Sequence, residues 1–214
     1  MGLGLPPGPL RVVCLAAHPD DVEIACGGTI LELMARPDSQ LSWLTLTGSP
    51  EREAEAREAA AAFSPGSTST FVGLPDGRLP ARWAEVQDAM HGFAKDTPVP
   101  DLVLAPSKDD AHQDHRLIGS LASTVWRDSL VLHYEIPKWD GDLGRPNVYL
   151  PVSEENARRK VRHLDECYPS QRDRDWWDEE LFLGLMRVRG VECRSRYAEA
   201  FVVSKSVLRI GAGA

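Results

Sequence analysis

The chain has 214 residues, 43% of them hydrophobic and 26% charged, with a formal net charge of −8. That size and apolar content suit one α/β domain with a sizeable core. The acidic balance argues against a nucleic-acid partner, because binding a phosphate backbone needs a basic face.

Four cysteines, Cys14, Cys26, Cys167 and Cys193, are far apart and form no CxxC pair. They read as reduced thiols of an intracellular protein, not as a disulfide frame or a zinc ribbon. The start of the chain lacks the charged end and apolar core of a signal peptide. No apolar run reaches membrane-spanning length. The expected location is therefore cytoplasmic, with no transmembrane segment.

Strand-like runs alternate with helix-like ones, the pattern of βαβ units and a mostly parallel sheet. The first expected strand is Arg11 to Ala17, and a helix from Thr29 to Ala35 follows Gly27-Gly28. Leu41 to Thr47 is a second strand. Ser49-Pro50-Glu51 opens an Ala- and Glu-rich helix to Phe63, with Ser at the cap and Pro in the first turn. Thr70 to Leu74 is a short strand ending in the turn Pro75-Asp76-Gly77. A helix from Arg82 to Lys95 precedes a strand, Leu102 to Ala105. A helix from Arg116 to Trp126 precedes another, Leu130 to Tyr134. Pro137 to Pro151, rich in Pro, Gly and Asp, is expected to be one long loop. Helices through about Cys167 and from Trp176 to Arg189 come next, then a last strand, Ala198 to Val203. The expected fold is a single three-layer, Rossmann-like α/β domain over 1–214, with its site at the carboxyl ends of the strands.

Two segments carry the chemistry. Strand-like Val12-Val13-Cys14-Leu15 leads into His18-Pro19-Asp20-Asp21, and Leu102-Val103-Leu104 leads toward His112-Gln113-Asp114-His115. A catalytic zinc takes three protein ligands from His and carboxylate and leaves a position open. In the first segment the proline stiffens the turn, so one acid can bind metal beside His18 while the other stays free as general base. Spacing alone does not say which Asp does which. His115 would be the third ligand, from a separate strand. His112 lies three residues before it, on the same face if a helix begins there. Asp114 is placed to orient an imidazole. A protonated His112 could stabilise a tetrahedral oxyanion. The other histidines, His91, His133 and His163, read as ordinary surface or core residues.

These residues resemble the LmbE/PIG-L family of zinc-dependent de-N-acetylases, which act on N-acetylglucosaminyl groups. The elements that match, in order, are His18-Pro19-Asp20-Asp21 with Gly27-Gly28, Arg52-Glu53-Ala54-Glu55, Leu74-Pro75-Asp76-Gly77 and His112-Gln113-Asp114-His115. Tyr168-Pro169-Ser170-Gln171, Arg189-Gly190 and Tyr197 to Phe201 match the late part of the family pattern. The resemblance implies one zinc per chain on His18, Asp21 and His115. It makes Asp20 the general base, His112 the oxyanion stabiliser and Asp114 the partner that orients His112. Asp76 would hold sugar hydroxyls and Arg52 the far part of the substrate, a small N-acetylated sugar conjugate. Arg52 could equally form an intrahelical pair with Glu55, and Asp76 could be a turn residue before Gly77. One departure is the run Lys108-Asp109-Asp110-Ala111, which lacks the tyrosine of the mycothiol branch. That speaks against a mycothiol-type substrate. Pro137 to Pro151 and Trp176-Trp177 are expected to shape the pocket. The sequence leaves the oligomeric state open, a homo-oligomer included. Two rivals are a phosphoesterase, which would need a glycine-rich phosphate loop and two metals, and a sugar-binding protein that keeps the fold without catalysis.

Overall fold

A computed structural model describes residues 4–207; the expected domain span of 1–214 runs past them at both ends. Seven strands form one sheet: β1 (Arg11–Ala16), β2 (Gln40–Thr47), β3 (Thr68–Leu74), β4 (Leu102–Pro106), β5 (Leu130–Tyr134), β6 (Val148–Val152) and β7 (Tyr197–Val202). Their order is β3-β2-β1-β4-β5-β7-β6. The first five are parallel, and β7 runs antiparallel to both β5 and β6.

Six helices cover the sheet: α1 (Asp21–Met34), α2 (Pro50–Phe63), α3 (Trp83–Asp96), α4 (Gln113–Val125), α5 (Glu154–Cys167) and α6 (Glu179–Cys193). β1 shows why there are three layers. Val12, Cys14 and Ala16 pack with residues of α1, α2 and α5, whereas Val13, Leu15 and Ala17 pack with α3 and α4. A strand alternates its side chains between faces, so burial of both faces requires an unbroken apolar run. The α/β fold with a mostly parallel sheet is the expected one. No helix among the described residues is long and apolar enough to cross a membrane.

Three boundaries differ from the sequence reading. α1 begins at Asp21, two turns before Thr29, because Gly27 and Gly28 are helical and do not break the chain. Their role is close packing. A Cβ at Gly27 would sit 2.7 Å from a Phe63 ring carbon, and one at Gly28 would sit 2.9 Å from Val152 Cγ1. The stretch Pro137 to Pro151 is not all loop, since its end forms β6 at the sheet edge. An edge strand tolerates Pro151, which could not donate to a central ladder. α6 starts at Glu179, after Asp178, whose carboxylate accepts from the Leu181 amide at 2.7 Å.

β1 lies between β2 and β4, and the connections leaving β1 and β4 diverge to opposite faces. Such a switch point opens a crevice at the carboxyl ends of the strands. His18 follows β1, and His112 follows β4.

Candidate metal centre

The turn after β1 is built around Asp21. Its Oδ2 accepts from the backbone amides of Ala17 (2.9 Å) and His18 (2.8 Å), which folds the chain back as α1 begins. Asp20 caps that helix with φ 97°, a left-handed backbone that non-glycine residues rarely adopt. On the other side of the crevice His112 caps α4, its Nδ1 accepting from the Asp114 amide at 3.3 Å.

Three electron-pair donors converge between these turns. His18 Nδ1 lies 3.2 Å from His115 Nε2, His115 Nε2 lies 3.3 Å from Asp21 Oδ2, and His18 Nδ1 lies 3.6 Å from Asp21 Oδ2. Tetrahedral ligands at roughly 2.0–2.1 Å from an ion stand about 3.3 Å apart. The three atoms therefore outline one face of a tetrahedral shell, and the donor set fits a divalent metal. The ring of His112 completes the cluster, 4.8 Å from the rings of both His18 and His115. The site asks for positive charge. Burial disfavours a charged His18, yet Asp21, Asp114 and Asp76 outweigh it and push the imidazole up to about 12. For His115, Asp21 and Asp110 outweigh burial and push it up to about 9.

The outer nitrogens of both histidines face carboxylates. His18 Nε2 is 2.8 Å from Asp76 Oδ1 and 3.5 Å from Asp114 Oδ2. His115 Nδ1 is 3.0 Å from Asp110 Oδ2. Carboxylates in this position fix the orientation of a metal-binding imidazole and raise its basicity. Asp114 differs here from its expected role. Its carboxylate accepts from the amides of Gly77 (2.8 Å) and Leu79 (3.1 Å) and approaches His18; only its backbone amide meets His112. Being fully buried, it ties the Pro75–Gly77 turn to α4.

Arg52 lies on the cavity wall and bonds to four groups of the chain. Its guanidinium donates to Asp20 Oδ2 (2.5 Å), the Pro19 carbonyl (2.6 Å), Glu55 Oε2 (2.7 Å) and Ser170 Oγ (3.0 Å). The intrahelical pair with Glu55 forms, and the same group reaches Asp20 beside the cluster. Burial pushes the Asp20 carboxyl up to about 7, with Arg52 pulling against it and Asp21 adding to the rise. Asp76 stands at the rim, its side chain 74% exposed.

Asp110 and Lys138 escaped the sequence reading. Asp110 is buried, accepts from the His112 amide at 2.7 Å and pairs with Lys138 Nζ at 3.0 Å. Burial pushes its carboxyl up, but His115, the His112 amide and Lys138 outweigh that and hold it down at about 2. A signal existed in the spacing, since Asp110 stands five residues before His115 on the loop that enters α4. Lys138 lies in the irregular stretch after β5, where no pattern marks it.

One cavity of about 660 Å³ joins these groups. His18, Asp20, Asp21, Arg52, Asp76, His112 and His115 all line it. Asp114 does not; it lies beneath the turn it holds.

The fold recurs in solved structures. N,N'-diacetylchitobiose deacetylase from Pyrococcus horikoshii superposes with a TM-score of 0.72 at 21% identity, over 90% of this chain and 83% of its own. The conserved protein TT1542 from Thermus thermophilus gives 0.72 at 24% identity, over 96% and 99%. The A40926 pseudoaglycone deacetylase Dbv21 gives 0.71 at 16%, over 94% and 99%. The model of the GlcNAc-PI de-N-acetylase family matches residues 13–126, just over half the chain, from β1 to the end of α4. That span contains both turns and every donor of the cluster, and on it the chain belongs to the GlcNAc-PI de-N-acetylase (PIG-L) family.

Proposed function

We propose that this protein is a zinc-dependent hydrolase that removes the acetyl group from an N-acetylglucosaminyl conjugate, releasing acetate and a free amine. His18, Asp21 and His115 would hold one zinc ion per chain. The observation that carries the reading is the triangle of His18 Nδ1, Asp21 Oδ2 and His115 Nε2 on a cavity wall, with Asp20 on one flank and His112 on the other. Zinc bound there would act as a Lewis acid toward the acetyl carbonyl and lower the pKa of water to ~7.

The residues of the chain do the rest. Asp20 takes the proton of the attacking water and returns it to the departing nitrogen as the C–N bond breaks. Arg52 holds the Asp20 carboxylate in place through a short hydrogen bond. His112 accepts at Nδ1, so its ring proton resides on Nε2, and that N–H can donate to the oxyanion. Burial and the neighbouring His18 and His115 lower its pKa. Asp114 and Asp76 orient His18, and the second oxygen of Asp76 is left to accept from a sugar hydroxyl. Gly27-Gly28, too short in sequence for a phosphate loop, lies inside α1, so the phosphoesterase reading gains no support.

The test pairs metal content with acetate release from a panel of N-acetylglucosaminyl compounds. Asp20→Asn should keep zinc and lose about 10²–10⁴ in turnover, and His115→Ala should lose the metal. Unchanged turnover in the first variant, or full zinc in the second, would overturn the assignment.

A further inference from the structure

The late motif Tyr168-Pro169-Ser170-Gln171 has no part in the chemistry above, yet it is built into the wall beside Asp20. α5 ends at Cys167, and Pro169–Gln171 form a short 3-10 turn. Through that turn Ser170 meets Glu55 of α2, 115 residues earlier in the chain. The Glu55 carboxylate is buried. Its Oε1 accepts from the Ser170 amide at 2.8 Å, and its Oε2 from Ser170 Oγ and Arg52 Nη1, both at 2.7 Å. An exposed pair three residues apart on a helix holds nothing firmly, whereas a buried carboxylate with three donors is a fixed point.

Arg52 is gripped at both ends of its guanidinium. Nη1 donates to Glu55 Oε2 and to Ser170 Oγ at 3.0 Å. Nη2 donates to the Pro19 carbonyl at 2.6 Å and to Asp20 Oδ2 at 2.5 Å. The two terminal nitrogens carry four N–H groups, and four acceptors of the chain take them. Tyr168, fully buried, sets its ring 5.2 Å from the guanidinium carbon, and its hydroxyl donates to Glu23 Oε1 at 2.6 Å. The face of the planar fork is thus fixed as well as its edge.

A guanidinium committed in this way is ill suited to the role that the family resemblance implies, holding the far part of the substrate. What it does hold is Asp20. Nη2 bonds the carbonyl just before Asp20 and also the Asp20 carboxylate, on either side of a backbone at φ 97°. The strained peptide and the proton-carrying group are fixed together.

Resting on the hydrolase reading above, in which Asp20 is the general base, we infer that Glu55 is a positioning residue for that base. With Ser170 it forms a socket for Nη1 of Arg52, and the rigid fork passes that position on to Asp20. Arg52 belongs to this brace and not to the contacts that bind substrate.

The test uses zinc-loaded protein and its Glu55→Gln and Ser170→Ala variants, with N-acetylglucosamine and its p-nitrophenyl glycoside as substrates. An amide at position 55 puts an N–H against a donor whichever way it turns. In Glu55→Gln, kcat should fall roughly ten- to a hundred-fold, by the same factor on both substrates, with KM and zinc per chain unchanged. Ser170→Ala should show a smaller loss of the same kind. A KM that rises for the larger substrate at constant kcat would make Arg52 a substrate contact. Unchanged kcat in both variants would leave Glu55 a purely structural residue. Either result overturns the brace.

A second readout needs no turnover. Glu55 and Asp20 share no hydrogen bond among the described residues, so denaturant unfolding of Glu55→Gln, Asp20→Asn and the double variant measures their coupling through Arg52. The two effects should be non-additive, and should become additive once Arg52 is replaced by Met. Additive effects with Arg52 in place would overturn the brace. Should Glu55→Gln fail to fold, Ser170→Ala carries both measurements. If the wild type turns over neither compound, the hydrolase reading fails, while the unfolding cycle still decides the brace.

Discussion

Two clusters of buried charge sit along α1, and they behave differently. Toward the middle of the helix Glu199 accepts from the amides of Gly28 (2.9 Å) and Thr29 (2.6 Å) and from Lys160 Nζ (2.6 Å). Lys160 also donates to the Ile24 carbonyl at 2.6 Å. Both side chains are almost fully buried, and charge cancels within the cluster. At the head of the same helix His18, Asp21 and His115 turn three acceptor atoms toward one another, with no cation of the chain between them. The first cluster is complete and joins α1, α5 and β7. On the proposed reading, the second is completed by a metal ion. Burial of charge thus does not by itself mark a functional site; an electrostatic demand left unmet by the surrounding chain does.

Breaking each cluster separately tests the contrast. Lys160→Met leaves Glu199 buried without its counter-charge and should cost about 3–5 kcal/mol of stability. Denaturant unfolding measures this, and zinc bound per folded molecule should not change. Reduced zinc at unchanged stability would erase the distinction between the clusters. Asp110→Asn acts on the other one, by withdrawing the carboxylate behind His115. Zinc affinity, read by competition with a chelator, should fall roughly 10–100-fold; an unaltered affinity would show that Asp110 does not support the ligand. Gly27→Ala is the mildest change. Its Cβ would press on the Phe63 ring and the Lys160 stem, both able to shift, so about 1 kcal/mol is expected, the low end for over-packing. A loss of zinc affinity in this variant would mean that the two ends of α1 are coupled.

Much of this was legible in the chain. The parallel strands β1, β2, β4 and β5 are apolar runs that the alternation with helices identifies, and their order puts His18 and His112 across one crevice. The two acid–imidazole segments stood out because each follows an apolar strand-like run, whereas the choice of Asp21 over Asp20 as a donor came only from the family resemblance. Boundaries set by tertiary packing were not legible. Gly27-Gly28 looks like a break because intrinsic propensity disfavours glycine in helices; only the approach of Phe63 and Val152 shows that a side chain would not fit there. β6 was hidden because its pairing partner, β7, comes 49 residues after its first residue (197 − 148) and the strand carries a proline. Which carboxylate supports which histidine was equally hidden. Asp114 is two residues from His112 in sequence but faces His18 and the Gly77 turn in space.

The backbone at Asp20 sets chemistry against folding. A non-glycine residue held at φ 97° carries strain of order 1–3 kcal/mol, sustained by the contacts around it. Glycine would adopt that conformation freely, so at this position the residue that suits the backbone best is one that cannot move a proton. On the proposed mechanism, selection for thermal robustness alone would drift toward Asp20→Gly at the expense of catalysis. Libraries screened for stability should therefore recover that substitution among folded, zinc-loaded and inactive clones, which makes Asp20 a natural marker for telling selection on fold from selection on function.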